Sequence, residues 1–257
     1  MSESLQLNTC ANFMIKYHEP RVENNVNEII NYMNTKKTNI IFDIGSNIGS
    51  FTKLLSKRIN YKEIHLFEAS TEIYNYSKIY LNDIDNLYIN NIALSNNNEN
   101  KILYKCPKDI KEGKKIKDDK IVLKVGGCNG NSNIGWNTML QSKDPGQPSD
   151  NFHDYMDKEI VNCITLDKYV KENNITNIDL IKMDIEGYEG QGLEGAFETI
   201  QKFKPLLYIE VSWGIRHPQW NQNKYIYKKL LNMDYEIKNC ENFFTKRGSV
   251  DVIFQHK

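Results

Sequence analysis

The sequence predicts an α/β protein built on a doubly wound, mainly parallel sheet. Three observations lead there. Short apolar runs alternate with segments of helical period along most of the chain. The run Ile40-Ile41-Phe42-Asp43-Ile44 ends in a glycine turn, and a later run ending at Met183-Asp184 leads into a second glycine, Gly187. A chain of 257 residues fits one large domain with an insertion better than two full domains.

The elements follow in order. Asn39–Ile44 reads as a buried strand, and Gly49–Ile59 as a helix with Phe51, Leu54 and Leu55 on one face. Glu63–Phe67 is the next strand, Thr71–Asn82 a helix and Leu87–Ile92 a third strand. Lys101–Tyr104 and Ile160–Thr165 are strand-like pieces flanking a break in the rhythm. Ile178–Asp184 is a strand. Tyr188–Lys202 is a helix in which Leu193, Ala196, Phe197 and Ile200 recur at helical spacing. Leu206–Val211 is a strand, Asn221–Met233 a helix, and Tyr235–Lys238 and Val250–Phe254 are closing strands. Residues 1–38 are left as a helical or irregular extension, and 39–257 as the main domain with an irregular insertion at about 105–150. Within the insertion, Lys108–Lys120 carries six lysines and four acids and reads as a solvated excursion. Asn131–Met139, with Trp136, is a candidate lid.

Composition excludes several classes. Basic and acidic residues number 33 each, so the net charge is zero and nothing global asks for a polyanionic partner. Nucleic acid is therefore not an expected partner. Cys10, Cys106, Cys128, Cys163 and Cys240 form no CxxC pair, which argues for reduced thiols. The start, MSESLQLNTCANF, lacks the basic and apolar regions of a signal peptide. No apolar run approaches the roughly 20 residues of a membrane span. The expectation is a soluble, cytoplasmic protein; composition leaves its oligomeric state open.

Asp43, Gly45, Ser46, Asn47 and Gly49 form the first motif, D-x-G-x-N-x-G, between a strand and a helix. Gly45 lets the backbone turn and approach a ligand, and Gly49 lets the following helix pack closely. The pattern departs from the dinucleotide fingerprint, because Asn47 stands where pyrophosphate binding uses glycine. An acid at Asp43 suits a cationic amino-acid head group better than a phosphate. Glu68, at the end of the next strand and followed by Ala69, is placed to accept hydrogen bonds from ribose hydroxyls. Ile92 and Ala93 follow the third strand and are placed to line an adenine slot. S-adenosylmethionine, with an ammonium, a sulfonium and no phosphate, meets these demands. An NAD-dependent oxidoreductase does not.

The second constellation is Lys182-Met183-Asp184-Ile185-Glu186-Gly187, at another strand-to-helix junction. Strand alternation puts Lys182 and Asp184 on one side. Glu210 ends the neighbouring strand, and His217 follows it in a loop.

With these motifs in view, the sequence resembles the FkbM family of methyltransferases. The matching segments are FDIGSNIG (Phe42–Gly49), HLFEA (His65–Ala69), NIALS (Asn91–Ser95), ITLDKYV (Ile164–Val170), IKMDIEGYE (Ile181–Glu189), LEGA (Leu193–Ala196) and LYIEV (Leu207–Val211). The resemblance implies the class I, Rossmann-like methyltransferase fold, a seven-stranded sheet with an antiparallel last strand. It implies S-adenosylmethionine as cofactor and O-methylation of sugars, glycolipids or polyketide hydroxyls. The family's cofactor positions fall on Asp43, Gly45, Asn47, Gly49 and Glu68, and its acidic motif on Lys182, Asp184 and Glu186. Asn133-Ile134-Gly135 is a counterpart of a short Asn-x-Gly segment of the family, which makes Asn133 and Trp136 substrate-binding candidates with Glu210 and His217.

The chemistry expected is transfer of a methyl group to a hydroxyl of a sugar or other small molecule. Asp184 is the first candidate base, Glu186 the second, and Lys182 is placed to hold a carboxylate ionised or stabilise an alkoxide. No metal is expected; a Mg²⁺ variant would use Asp184, Glu186 and Glu210. The rival readings are an RNA cap or ribose 2′-O-methyltransferase and a non-catalytic nucleoside-binding scaffold.

Overall fold

The computed structural model describes residues 20–35, 37–106, 114–117, 120–124, 137–139 and 152–257. A helix, α1, covers residues 20–30. There follow β1 (Asn39–Ile44), α2 (Ser50–Leu55), β2 (Tyr61–Phe67), α3 (Thr71–Tyr80), β3 (Leu87–Asn90), β4 (Ala93–Leu94) and β5 (Glu99–Lys105). The insertion contributes β6 (Lys114–Lys117) and β7 (Lys120–Lys124). Then come β8 (Asp157–Ile164), α4 (Leu166–Glu172), β9 (Leu180–Met183), α5 (Glu189–Glu194), α6 (Phe197–Phe203), β10 (Leu206–Val211), α7 (Trp220–Leu231), β11 (Tyr235–Ile237) and β12 (Val250–His256).

The main sheet has seven strands in the order β11-β12-β10-β9-β1-β2-β3. β3, β2, β1, β9 and β10 are parallel, and β12 runs antiparallel between β10 and β11. This is the class I methyltransferase sheet, antiparallel last strand included. Strand order reverses at β1, the point where ligands bind beyond the carboxyl ends of such sheets.

Alternation along the strands divides the core. Ile40, Phe42 and Ile44 face a cluster with Ile181, Met183, Leu207, Ile209, Leu193 and Tyr227. Ile41 faces the other side with Leu66, Leu180, Tyr208 and Ile253, packed under Val26 and Ile29 of α1 and Phe51 and Leu55 of α2. Both faces are covered, which is why these parallel strands are apolar almost throughout. By the same alternation Asp43, Lys182 and Glu210 fall on the α1 side.

Three features differ from the sequence reading. The Tyr188–Lys202 helix is two helices, α5 and α6, broken at Gly195 and Ala196. A Cβ at Gly195 would lie 2.1 Å from the Ser95 carbonyl oxygen, so the chain there is pinned against another segment. Asp167 then accepts the backbone N–H of Thr199 at 2.8 Å and supplies the start of α6. The Leu87–Ile92 strand ends at Asn90, and the chain crosses to a second sheet, β4-β8-β5. The insertion is not wholly irregular, because β6 and β7 pair as an antiparallel hairpin. β-branched Ile116 in the first strand and Ile121 and Val122 in the second suit a strand. Among the described residues no helix is long and apolar enough to cross a membrane.

Candidate active site

The glycine turn after β1 is forced by its neighbours. Gly45, at φ +69°, has no room for a Cβ, which would lie 1.8 Å from the Asp184 carbonyl oxygen. The two strand ends are thereby brought together, and the Asp184 N–H donates to Ile44 O at 3.0 Å. Ser46 is buried and, like Gly45, donates its N–H to the Phe67 carbonyl. Asn47 adopts a left-handed φ of 52°, and its side chain accepts the Ile48 N–H at 2.7 Å. Gly49 meets Leu81 at the end of α3, not the sheet: a Cβ there would lie 2.3 Å from Leu81 Cδ1.

Asp43 is fully buried and does not line the cleft. One oxygen accepts Thr52 Oγ1 at 2.8 Å, and the other lies 3.1 Å from Lys182 Nζ. The Lys182 ammonium also donates to Gly45 O at 2.8 Å. Asp43, Asp184 and Glu210 raise the lysine's pKa against the opposing effect of burial. The expectation had Asp43 beside a cofactor ammonium and Lys182 beside the acceptor. Here the two meet each other and fix the turn from beneath.

A cleft with a cavity of about 100 Å³ opens above this layer. Gly45, Asn47, Glu68, Ala69, Ile92 and Ala93 line it on one side, and Asp184 and Glu186 on the other. Glu68 Oε2 accepts the Asn47 N–H at 3.0 Å and Oε1 the Ser70 N–H at 2.8 Å. Burial pushes the Glu68 carboxyl up to about 7, although both backbone donors pull it down. Asn91 donates to the carbonyls of Glu68 and Ala69, both at 2.9 Å, and so holds this wall. The chain leaves the main sheet at Asn91, which exposes Ile92 and Ala93 to the cleft.

Beyond β9 the acids converge. Asp184, Glu189 and Glu210 have carboxylate oxygens within 4.8 Å of one another. Glu186, which the sequence reading grouped with Asp184 and Glu210, is not in this group. It lines the cleft at a left-handed φ of 54°. Glu189 Oε1 instead accepts the N–H groups of Ile185 and Gly187 at 3.0 and 3.1 Å. Burial pushes it up to about 7. Burial and the neighbouring Asp184 and Glu186 push Glu210 well above the carboxylate range. Such spacing would let a hard cation bridge the group. The cation the structure places there is Arg21, whose guanidinium lies 3.2 Å from Glu210 and 3.3 Å from Asp251. Arg21 comes from α1, which the sequence reading left outside the domain.

His217 buckles the acidic turn from behind. Its Nδ1 accepts the Gln219 N–H at 3.0 Å, so the proton sits on Nε2, which donates to Gly187 O at 2.8 Å. Burial lowers its pKa, and both nitrogens are occupied. Thr138 donates to Glu186 O at 2.7 Å and pairs with Tyr104, so the end of the insertion brings Asn137 and Met139 to the cleft. Asn133 and Trp136 lie outside the described residues.

A glycine turn meets an acidic strand end at the switch point of this sheet, the arrangement of the class I methyltransferase fold. The methyltransferase FkbM domain model matches residues 43–237, and the chain belongs to that family. Among solved structures, an FkbM methyltransferase from Methylobacillus flagellatus KT is similar at 13% identity and a TM-score of 0.48, over 85% of this chain and 44% of that one. This chain thus spans less than half the length of that relative. Aeropyrum pernix fibrillarin is similar at 11% identity and a TM-score of 0.41, over 85% of this chain and 66% of that one. Magnesium protoporphyrin IX methyltransferase from Synechocystis PCC 6803 is similar at 8% identity and a TM-score of 0.46, over 93% and 80%. No curated protein matches the chain.

Proposed function

We propose that the protein transfers a methyl group from S-adenosylmethionine to a hydroxyl oxygen of a sugar or other small molecule. The observation that carries this reading is the cleft itself, which has a buried carboxylate and apolar slot on one wall and Asp184 on the other. The donor set fits a nucleoside with a cationic tail. Glu68 keeps lone pairs free for ribose hydroxyls beyond its two backbone bonds. Ile92 and Ala93 offer an apolar face for a purine, and Gly45 a surface with no Cβ. When bound, S-adenosylmethionine supplies a methyl group on a good sulfonium leaving group.

The protein's own part is alignment and proton removal. Holding an acceptor oxygen in line is worth on the order of 7–11 kcal/mol. Asp184 faces the cleft and takes the hydroxyl proton as the oxygen reacts, worth roughly 10²–10⁴-fold. Glu210 lies behind Asp184, with carboxylate oxygens of the two within 4.8 Å of each other. Lys182, tied to Asp43 and Gly45, positions the turn and does not reach the acceptor. Asp184→Asn is expected to lower turnover roughly 10²–10⁴-fold while S-adenosylhomocysteine affinity stays near normal. Turnover near wild type in that variant would remove the base assignment.

The lysine-rich hairpin β6–β7 favours the second reading, an RNA acceptor. RNA binding through it would weaken steeply with salt. RNA retention that ignores salt, or none at all, excludes this reading.

A further inference from the structure

We infer that a second pocket, beyond Met139 from the cofactor cleft, holds a neutral, hydroxyl-rich part of the acceptor. The inference rests on the reading of the protein as a hydroxyl methyltransferase, and it places that acceptor's binding group. The pocket, about 420 Å³, lies between β5 and the start of α5. Met139, 8% exposed, lines both cavities, so the cleft and the second pocket share a wall. Tyr188, which follows the turn bearing Asp184 and Glu186, is part of its wall.

The lining chemistry selects the ligand class. Gln191 is 7% exposed, and its Nε2 donates to Gln219 Oε1 at 2.6 Å. Its Oε1 finds no hydrogen-bond partner among the described residues. A buried amide left half-paired is costly. The terminal torsion of a glutamine is broad, so either amide atom can turn to the pocket. A ligand hydroxyl, both donor and acceptor, satisfies whichever atom faces it. Across the pocket, Glu99 and Lys101 form an ion pair at 2.6 Å. Their charges cancel, which offers an acceptor beside a donor and no net attraction for phosphate or carboxylate. Tyr188 and Met139 add apolar surface for the C–H face of a ring.

The pocket is also wired to the site of chemistry. Gln219 donates its backbone N–H to His217, whose other nitrogen holds Gly187 in the acidic turn. The wall that recognises the ligand and the turn that bears Asp184 are one hydrogen-bonded unit. A hydroxyl-rich group seated on Gln191 and Gln219 is thereby held in fixed relation to Asp184.

The test is retention of the full-length protein, loaded with S-adenosylhomocysteine, on an array of immobilised neutral, amino and acidic glycans. Wild type is expected to bind neutral glycans. Gln191→Leu and Gln219→Leu are expected to lose about tenfold in retention, the worth of one good hydrogen-bonding group. Calorimetry is expected to show unchanged S-adenosylhomocysteine affinity in both. Equal retention by variants and wild type overturns the pocket and leaves the hydroxyl methyltransferase reading intact. No retention of any glycan by a protein that binds S-adenosylhomocysteine overturns both the pocket and the glycan acceptor. Should the glutamine variants fail to fold, Lys101→Met with Glu99→Leu, at the pocket rim, carries the same expectation.

Discussion

Asp43 and Lys182 are cross-strand partners in β1 and β9, and their charged groups lie 3.1 Å apart beneath the glycine turn. Neither reaches the cleft. The pair closes the gap between two parallel strand ends whose backbones are too close for a side chain at Gly45. An acid and a lysine far apart in sequence thus make one structural unit, and the cofactor turn rests on it.

The pair should show as stability. Asp43→Asn leaves a buried ammonium without its anion, which costs about 3–5 kcal/mol. Asp43→Asn combined with Lys182→Met should recover most of that loss. Urea unfolding of the two single variants and the double variant measures it. A loss below about 1 kcal/mol in Asp43→Asn would show that the pair does not hold the turn.

Stability should fall as pH rises from 4.5 to about 7, because burial raises Glu189 across that window. The folded protein then binds more protons than the unfolded chain, and raising the pH favours unfolding. Glu189→Gln keeps one oxygen to accept the Ile185 and Gly187 N–H groups and removes the titration. It should flatten the slope in part, since Glu68 is raised to about 7 as well. Unfolding midpoints across this pH range check the point, and an unchanged slope contradicts it.

Much of this arrangement is legible in the sequence, and the limits are physical. β1 and β10 are apolar runs of strand length bounded by turn signals, so their ends read correctly. Gly45, Asn47, Glu68, Ile92 and Ala93 share the cleft because strand ends in a parallel sheet share an edge. The pairing of Asp43 with Lys182 depends on register, which the spacing of residues along one chain does not encode. The break at Gly195 depends on the approach of Ser95 from a distant segment. Glu189 reads as an ordinary helix-start acid, and only the fold brings it beside Asp184 and Glu210. Arg21 gives no signal at all, since one arginine in a polar helix resembles any other.

Arg21 should tune the acidic centre. Its guanidinium faces Glu210 and Asp251, with Asp184 in its field, and Glu186, Glu189 and Lys182 are the other charged groups around that centre. Removing a cation disfavours the ionised forms of these acids. Arg21→Met should move the acid limb of the kcat profile to higher pH, and Arg21→Lys should move it less. The pH–rate profile of methyl transfer decides this. Identical profiles in wild type and Arg21→Met would leave Arg21 a surface ion pair.

Calorimetric titration of the protein with S-adenosylmethionine, S-adenosylhomocysteine and NAD tests the central claim most directly. The account predicts micromolar binding of the first two, none of NAD, and loss of binding in Gly45→Ala, where the new Cβ meets the Asp184 backbone. Tight NAD binding, with neither the methyl donor nor its product bound, would contradict it.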